Sequence, residues 1–191
     1  MNHLAHLFLA PDVPQIRIGS LMGDFARGLD IQTLPADVRA GILHHRAVDT
    51  YTDAHPEVLA SKQLFSPQRR RFAGIALDML YDHYLLRHWQ HYSNVDPATF
   101  INQMYREFQN HEHLMPVRMR DVTRRMAEHD WFTAYTDLDS LGLALNRVAE
   151  RIRFRHRFYD IIDEIKEHDR ELEHRFLRFF PELMTFSGGN E

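Results

Sequence analysis

Apolar residues recur with a helical period in nearly every long segment of this chain. Several segments begin at residues that favour helix starts, with Pro35 before Ala36 and Asp96 before Pro97. Proline suits the first position of a helix because its missing amide hydrogen would be unpaired there anyway, and aspartate caps the first turn. No segment alternates apolar and polar residues with β-branched enrichment, so we expect no strands. The pattern predicts an all-α fold, a single helical domain over residues 1–191.

The same signals give the approximate bounds of the helices. We expect helices over about 36–55, 56–65, 67–92, 97 to Pro116, 117–130, from Asp139-Ser140 past Val148, and from Phe158 to Pro181. The segment over 67–92 is apolar on more than one side, so we expect it to lie centrally in the core. The tail over 186–191 ends in small and polar residues and is expected to be disordered.

Composition narrows the class of protein further. Hydrophobic residues make up 44% of the chain, too many for a disordered protein. Without cysteine there is no disulfide, iron–sulfur cluster, Cys-based zinc site or thiol nucleophile. A net charge of −4, no long apolar run and a start without a basic region predict a cytoplasmic protein with no nucleic-acid or membrane partner. The oligomeric state is left open, and the 14 histidines make metal chemistry worth testing.

Histidine and aspartate residues cluster in the first half of the chain. His45 and Asp49 are one helical turn apart, so an imidazole nitrogen and a carboxylate oxygen can reach a single divalent ion. Asp78, Asp82 and His83 lie in the central apolar helix, where a carboxylate is costly to bury unless it is paired or metal-bound.

Two further candidates lie nearer the start of the chain. Asp24 stands among small residues that permit close approach of another helix or a substrate, and His6 lies in an amphipathic opening segment one turn from Asn2. The convergence of separate clusters favours a metal site, although sequence spacing alone does not bring them together in space.

Each cluster also has a plain structural explanation. A lone pair such as His45 and Asp49 is more often a hydrogen-bonded ion pair than a metal site. Asp78 and Asp82 could cap neighbouring helices or pair with Arg46 or Arg87. The other histidines are individually better explained as surface or packing residues.

Arginines are concentrated in several clusters along the chain, and two of these clusters form a candidate surface for an acidic protein partner. The candidate partner-binding residues are Arg69, Arg70, Arg71, Arg153 and Arg157. If their segment is helical, Arg153 and Arg157 share one face. The alternative is ordinary solvated charge balanced by nearby acids; a net charge of −4 does not forbid a local basic patch.

Taken together, the motifs resemble those of the acyl carrier protein phosphodiesterase (ACP hydrolase) family of bacteria. The matching residues in the first third of the chain are Met1-Asn2, Leu4-Ala5-His6, Gly23-Asp24-Phe25, Arg27-Gly28, Gly41-Ile42, His45-Arg46, Asp49, Thr52-Asp53 and Pro56. The match continues through Leu77-Asp78, Tyr81-Asp82-His83-Tyr84-Leu85 and Arg87-His88-Trp89. Weaker similarity extends through Trp131, Tyr135 and Phe179-Phe180-Pro181.

The resemblance implies removal of 4′-phosphopantetheine from holo-acyl carrier protein, giving the apo protein. It also implies a fold related to the helical HD-type metal-dependent phosphohydrolases, a divalent ion that is usually Mn²⁺, with Mg²⁺, Fe²⁺ or Zn²⁺ as alternatives, and an acidic carrier protein as partner. The implied ligands are Asp24, His45, Asp78, Asp82, His83, His6 and Asp49. The doublet in the central helix runs Asp82-His83, the reverse of the usual HD order.

The implied chemistry assigns further roles. Asp24, His45, Arg46 and His83 are the candidate catalytic residues. Arg46 could clamp a phosphoryl oxygen or instead pair with Asp49 or Asp53, and either His83 or His55 could protonate the leaving serine oxygen. Two alternatives stay open: a related phosphohydrolase acting on a nucleotide or another small phosphoester, and a helical adaptor without enzymatic activity.

Overall fold

Helix α5 (Ala73–Arg87) runs through the core and is buried along most of its length. The computed structural model describes residues 1–188, which form ten α-helices and no strand. The other helices are α1 (His3–Leu9), α2 (Pro14–Met22), α3 (Ala36–Ala54), α4 (Pro56–Gln63), α6 (Pro97–Asn110), α7 (Val117–Glu128), α8 (Trp131–Ala134), α9 (Leu138–Ala149) and α10 (Ile162–Phe186). The predicted all-α class and the central position of α5 are confirmed.

Aromatic packing joins α5 to α10. The Tyr81 ring lies 5.5 Å from that of Phe176 and 5.6 Å from that of Phe179, measured between ring centroids. All three rings are fully or almost fully buried. Such pairs bury large apolar areas and add specific ring geometry, so α10 fixes one side of α5. Helices α1 and α9 also pack against α5.

Several predicted helix bounds are confirmed and several are wrong. The helices that begin at residues 36, 56, 97 and 117 start within a residue of the prediction. The helix predicted over 67–92 is wrong at both ends, because turns of 3₁₀ helix over Arg70–Phe72 and Trp89–His91 flank α5. Helix α9 begins before Asp139 because the Asp137 carboxylate accepts the Ser140 amide and caps the helix.

The last helix differs most from its prediction. Helix α10 starts at Ile162 and continues through Pro181 to Phe186, where the sequence predicted an end at the proline. Phe179, Phe180 and Leu183, on both sides of that proline, are fully buried. Their burial in the core outweighs the loss of the backbone hydrogen bond that proline cannot donate. Phe186 is therefore helical, whereas residues 189–191 of the predicted tail lie outside the described residues.

Residues 150–161 form an irregular loop, so the shared helical face predicted for Arg153 and Arg157 is wrong. Two of the other predicted docking arginines anchor this loop. Arg69 donates to the carbonyls of Arg157 and Tyr159, and Arg71 donates to that of Arg155. These contacts satisfy backbone carbonyls that no regular helix pairs in this segment.

Among residues 1–188, no helix combines the length and apolarity needed to cross a membrane.

Candidate metal centre

Two glycines allow α2 and α3 to pack at unusually short range. A Cβ atom on Gly19 would lie 2.1 Å from the Val38 carbonyl oxygen, and one on Gly41 would lie 2.1 Å from that of Ile16. Real Cβ atoms cannot approach backbone so closely, so only glycine fits either position. This packing brings the 3₁₀ turn Gly23–Phe25, which carries Asp24, against His45 on α3.

Helix α1 is held in place by the carboxylate of Asp82. Its Oδ1 accepts the amide of Ala5 at 2.9 Å, and its Oδ2 accepts the amide of Leu4 at 3.1 Å and the side-chain amide of Asn2 at 2.8 Å. The free amides of a first helical turn favour an anion. Asp82 thereby orients α1 so that His6 faces α3 and His3 faces the 3₁₀ turn that carries Asp24.

Three side chains from α1 and α3 converge on one point. The ring nitrogen Nε2 of His6 lies 3.1 Å from Asp49 Oδ1, and Nε2 of His45 lies 3.1 Å from Asp49 Oδ2. One donor atom from each of the three residues falls within 4.8 Å of the others. The rings of His6 and His45 stack with centroids 3.8 Å apart. The structure therefore brings together His6, His45 and Asp49 as a possible metal-binding triad.

Two more carboxylates border this triad. Asp24 Oδ1 lies 3.7 Å from His45 Nε2, and Asp24 Oδ2 lies 3.0 Å from His3 Nδ1. The α-amino group of Met1 lies 2.9 Å from Asp78 Oδ1 and 3.1 Å from Asp49 Oδ1. A positive charge is thus held between two of the predicted ligands, as expected where carboxylates converge on a cation.

The donor set fits a divalent cation. Among residues 1–188, His6 Nε2 is buried and close to Asp49 but makes no hydrogen bond, and the Nδ1 atoms of His6 and His45 are also buried without a partner. Buried polar atoms are normally satisfied, so each exception requires an explanation. A cation shared by imidazole nitrogens and carboxylate oxygens would satisfy the Nε2 atoms.

The site is open on its carboxylate side. The side chains of Asp24 and Asp49 are each 39% exposed and that of Asp78 is 40% exposed, whereas those of His6 and His45 are 0% and 5% exposed. The imidazoles therefore form the floor and the carboxylates the rim. A phosphate ester on a large partner could reach such a rim.

The charges of these groups depend on one another. Burial opposes ionisation of Asp49, but the His45 and His6 imidazoles and the Met1 ammonium group hold its pKa well below the ordinary range. Burial also acts on Asp24, where the His3 imidazole outweighs it and lowers the pKa. At Asp78 burial dominates and raises the pKa, against the Met1 ammonium group.

Two predicted ligands lie outside this group. The side chain of Asp82 is fully buried at the start of α1, and burial raises its pKa to about 6 despite the donors from Ala5 and Leu4. His83 Nδ1 donates to the Tyr135 carbonyl at 2.7 Å, and its buried Nε2 has no hydrogen-bond partner in the described part of the chain. The alternative in which Asp82 caps a neighbouring helix matches its contacts.

The other residues considered from the sequence, Arg46 and His55, also differ in how close they lie to the triad. Arg46 is exposed next to His45 and has no carboxylate within 4.0 Å among residues 1–188, so it pairs with neither Asp49 nor Asp53. His55 instead contacts Glu182 at 3.1 Å and caps α4 through its Nδ1 atom. Sequence reasoning missed His3, although its spacing of three residues from His6 on one helix was the available signal.

The buried, neutral His6 imidazole is expected to make the metal-free protein less stable as the pH falls from about 6.5 to about 4, against an opposite contribution from Asp82, whose pKa is raised to about 6. Burial lowers the pKa of His6 from 6.5 to about 4. At His6 the unfolded chain therefore binds more protons than the folded protein across this window. As the pH decreases, protonation of His6 lowers the free energy of unfolding by up to about 3 kcal/mol. Denaturant unfolding in EDTA at several pH values measures the slope. In His6→Asn the slope should be shallower, and an unchanged slope would contradict a neutral buried His6.

The fold and the donor group define an all-helical protein with a candidate divalent-cation site. The family model described as acyl carrier protein phosphodiesterase matches residues 1–183. A protein of that name from Enterobacter sp. (strain 638) is 35% identical over 186 residues, covering 97% of this chain and 96% of the relative. Another from Pectobacterium atrosepticum is 34% identical over 188 residues, covering 98% and 97%.

This chain belongs to the acyl carrier protein phosphodiesterase family, as the sequence motifs predicted. No solved structure matches it. The predicted relation to the HD-type phosphohydrolases therefore stays a prediction.

Proposed function

We propose that this protein hydrolyses the phosphodiester joining 4′-phosphopantetheine to a serine of holo-acyl carrier protein, releasing the apo protein. Family membership over nearly the whole chain supports the substrate. The observation that carries the proposal is the convergence of His6, His45 and Asp49 beneath an open carboxylate rim. The cytoplasmic location predicted from the sequence is part of this proposal.

The proposed ligands are His6, His45 and Asp49, with Asp24 and Asp78 completing the set. Imidazole nitrogen mixed with several carboxylate oxygens suits Mn²⁺, and Fe²⁺, Zn²⁺ and Mg²⁺ are the alternatives to test. A divalent cation bound there would acidify water and neutralise charge on the phosphoryl oxygens. Asp82 and His83 serve instead as positioning residues, since their contacts fix α1 and the chain at Tyr135.

Two side chains beside the triad are placed to act on the ester. The guanidinium of Arg46, which has no carboxylate partner within residues 1–188, is proposed to hold a non-bridging phosphoryl oxygen through two N–H donors. His3 is 20% exposed, and its Nδ1 lies 3.0 Å from Asp24 Oδ2. It is therefore better placed than His55 or His83 to protonate the serine oxygen as the phosphorus–oxygen bond breaks. Water supplies the new oxygen on phosphorus.

The acidic carrier protein is the proposed partner. Of the five arginines predicted to dock it, Arg69, Arg70 and Arg71 are used within the chain, where they donate to backbone carbonyls. Arg153 and Arg157 are exposed and stay candidates. Arg69 and Arg71 hold the loop that carries Arg153 and Arg157. Their proposed contribution to carrier binding is therefore to fix the position of this loop.

Purified protein with Mn²⁺ is expected to convert holo-acyl carrier protein to the apo form, which mass spectrometry detects as loss of the prosthetic group. Excess EDTA should stop the conversion, because the proposed ligands cannot activate water by themselves. Adding back Mn²⁺, Fe²⁺, Zn²⁺ or Mg²⁺ separately identifies the preferred ion.

Conversion that persists in EDTA would contradict the metal-dependent mechanism. Absence of conversion, with hydrolysis of nucleotides or other small phosphoesters, would instead favour a phosphohydrolase of different specificity. Absence of both would favour the adaptor.

A further inference from the structure

A groove with a volume of about 570 Å³ lies between α5, α8 and α9, outside the metal triad. Apolar side chains form much of its lining, including Met79 and Trp131, and the side chain of Leu143 is 63% exposed beside it. Leu143 extends the apolar lining, and contiguous exposed apolar surface rimmed by polar residues is the kind that marks an interaction site.

The rim of this groove is positively charged. Arg147 and Arg151 line it, one turn apart, and neither has a carboxylate within 4.0 Å among the residues that the structure describes. Two acids near the start of α9 are engaged elsewhere, because Asp137 caps α9 and Asp139 pairs with Lys166. The two guanidinium groups are exposed and form no ion pair within this part of the chain.

The inner wall of the groove is connected to the start of the chain through Tyr135. Tyr135 lines the groove, and burial, followed by the nearby Asp82 carboxylate, raises its pKa to about 12. The Asn2 side chain binds the same carboxylate and stands between Met1 and His3 in the chain. Tyr135 and Asp82 thereby connect the groove to Asn2, which is flanked in the chain by Met1 and His3 of the candidate metal centre.

We propose that this groove docks an acidic amphipathic helix of the carrier protein, an inference that rests on the proposed function. Apolar side chains of that helix would enter between Trp131 and Leu143, and its carboxylates would pair with Arg147 and Arg151. Helix-in-groove recognition combines such an apolar contact with charge complementarity at the rim. The apolar lining argues against a nucleic-acid backbone, which needs continuous cationic contact.

Charge reversal at the rim tests the proposal. In Arg147→Glu/Arg151→Glu, the Kd for apo-acyl carrier protein, measured by isothermal titration, should rise by about tenfold or more because attraction becomes repulsion. The KM for the holo form should rise with it, while kcat stays close to wild type. Hydrolysis of bis(p-nitrophenyl) phosphate, a small diester that needs no docking, should be unchanged.

Arg106→Glu/Arg118→Glu is the matched control. It alters net charge equally at two exposed arginines that also have no carboxylate within 4.0 Å in the described part of the chain. Leu143→Ser, at an exposed position, tests the apolar contact without reversing charge and should also weaken carrier binding. Thermal unfolding verifies that each variant is folded.

Equal carrier affinity in the rim variant and the control would overturn the groove assignment, and so would unchanged affinity in Leu143→Ser. Loss of a dimer in Leu143→Ser with unchanged carrier binding would assign the groove to a second copy of the chain. Wild-type protein that binds apo carrier through the groove but leaves the holo form intact would overturn the proposed hydrolysis alone.

Discussion

Replacing Asp49 with asparagine is expected to lower kcat/KM for holo-acyl carrier protein by about a thousandfold, a loss of about 4 kcal/mol of transition-state stabilisation. Asp49 contacts both imidazoles of the triad and the Met1 ammonium group. Asparagine has the same shape but contributes neutral donors and one acceptor, so it cannot supply the charge that a cation requires.

The same variant should bind Mn²⁺ much more weakly while it stays folded. Asp49 is 39% exposed, so its contribution to the free energy of unfolding is expected to stay within about 1 kcal/mol after solvent screening. Isothermal titration with Mn²⁺ and thermal unfolding in EDTA separate the two effects. Activity should not return when excess Mn²⁺ is added, because a ligand is missing.

Asp53→Asn provides the matched control for this experiment. Asp53 lies one turn further along α3 and pairs with Lys62 at 2.9 Å, away from the triad. The substitution removes the same charge from the same helix. Near-normal turnover in Asp49→Asn, or an equal loss in Asp53→Asn, would show that the triad is not the metal centre.

The helical class and much of the core followed from local signals. The starts at Pro35, Asp96 and Pro116 were readable because caps and prolines act within one turn. The continuation of α10 through Pro181 was not, because burial of Phe180 and Leu183 against distant helices decides it. The same applies to the loop at residues 150–161, whose anchors lie on another segment.

The candidate site was likewise predictable from the sequence only where local helical spacing decides the contact. The pairing of His45 with Asp49 follows from helical spacing alone. For Asp78 and Asp82 the spacing also suggested a shared role, but α1 packs against this face and takes only Asp82 as its cap. No periodicity within α5 could separate the two aspartates, because the difference lies in which neighbour each one meets.

Replacing Asp82 with asparagine is expected to lower the free energy of unfolding by about 2–3 kcal/mol, because an amide nitrogen would face the buried N–H groups of Leu4 or Ala5. The carboxylate is fully buried and accepts both of these amides as well as the Asn2 side chain. Thermal and denaturant unfolding in EDTA measure the loss. Asp49→Asn serves as the comparison, since its stability should change little.

Activity should distinguish a positioning residue from a ligand. In Asp82→Asn every proposed ligand is still present, but α1 is less firmly held, so His6 meets the cation less often. Turnover should therefore fall at limiting Mn²⁺ and recover substantially at saturating Mn²⁺ below the melting temperature, whereas Asp49→Asn should not recover. If saturating Mn²⁺ fails to restore a folded Asp82→Asn enzyme, Asp82 itself binds the metal, and α1 must move in the loaded protein to release it.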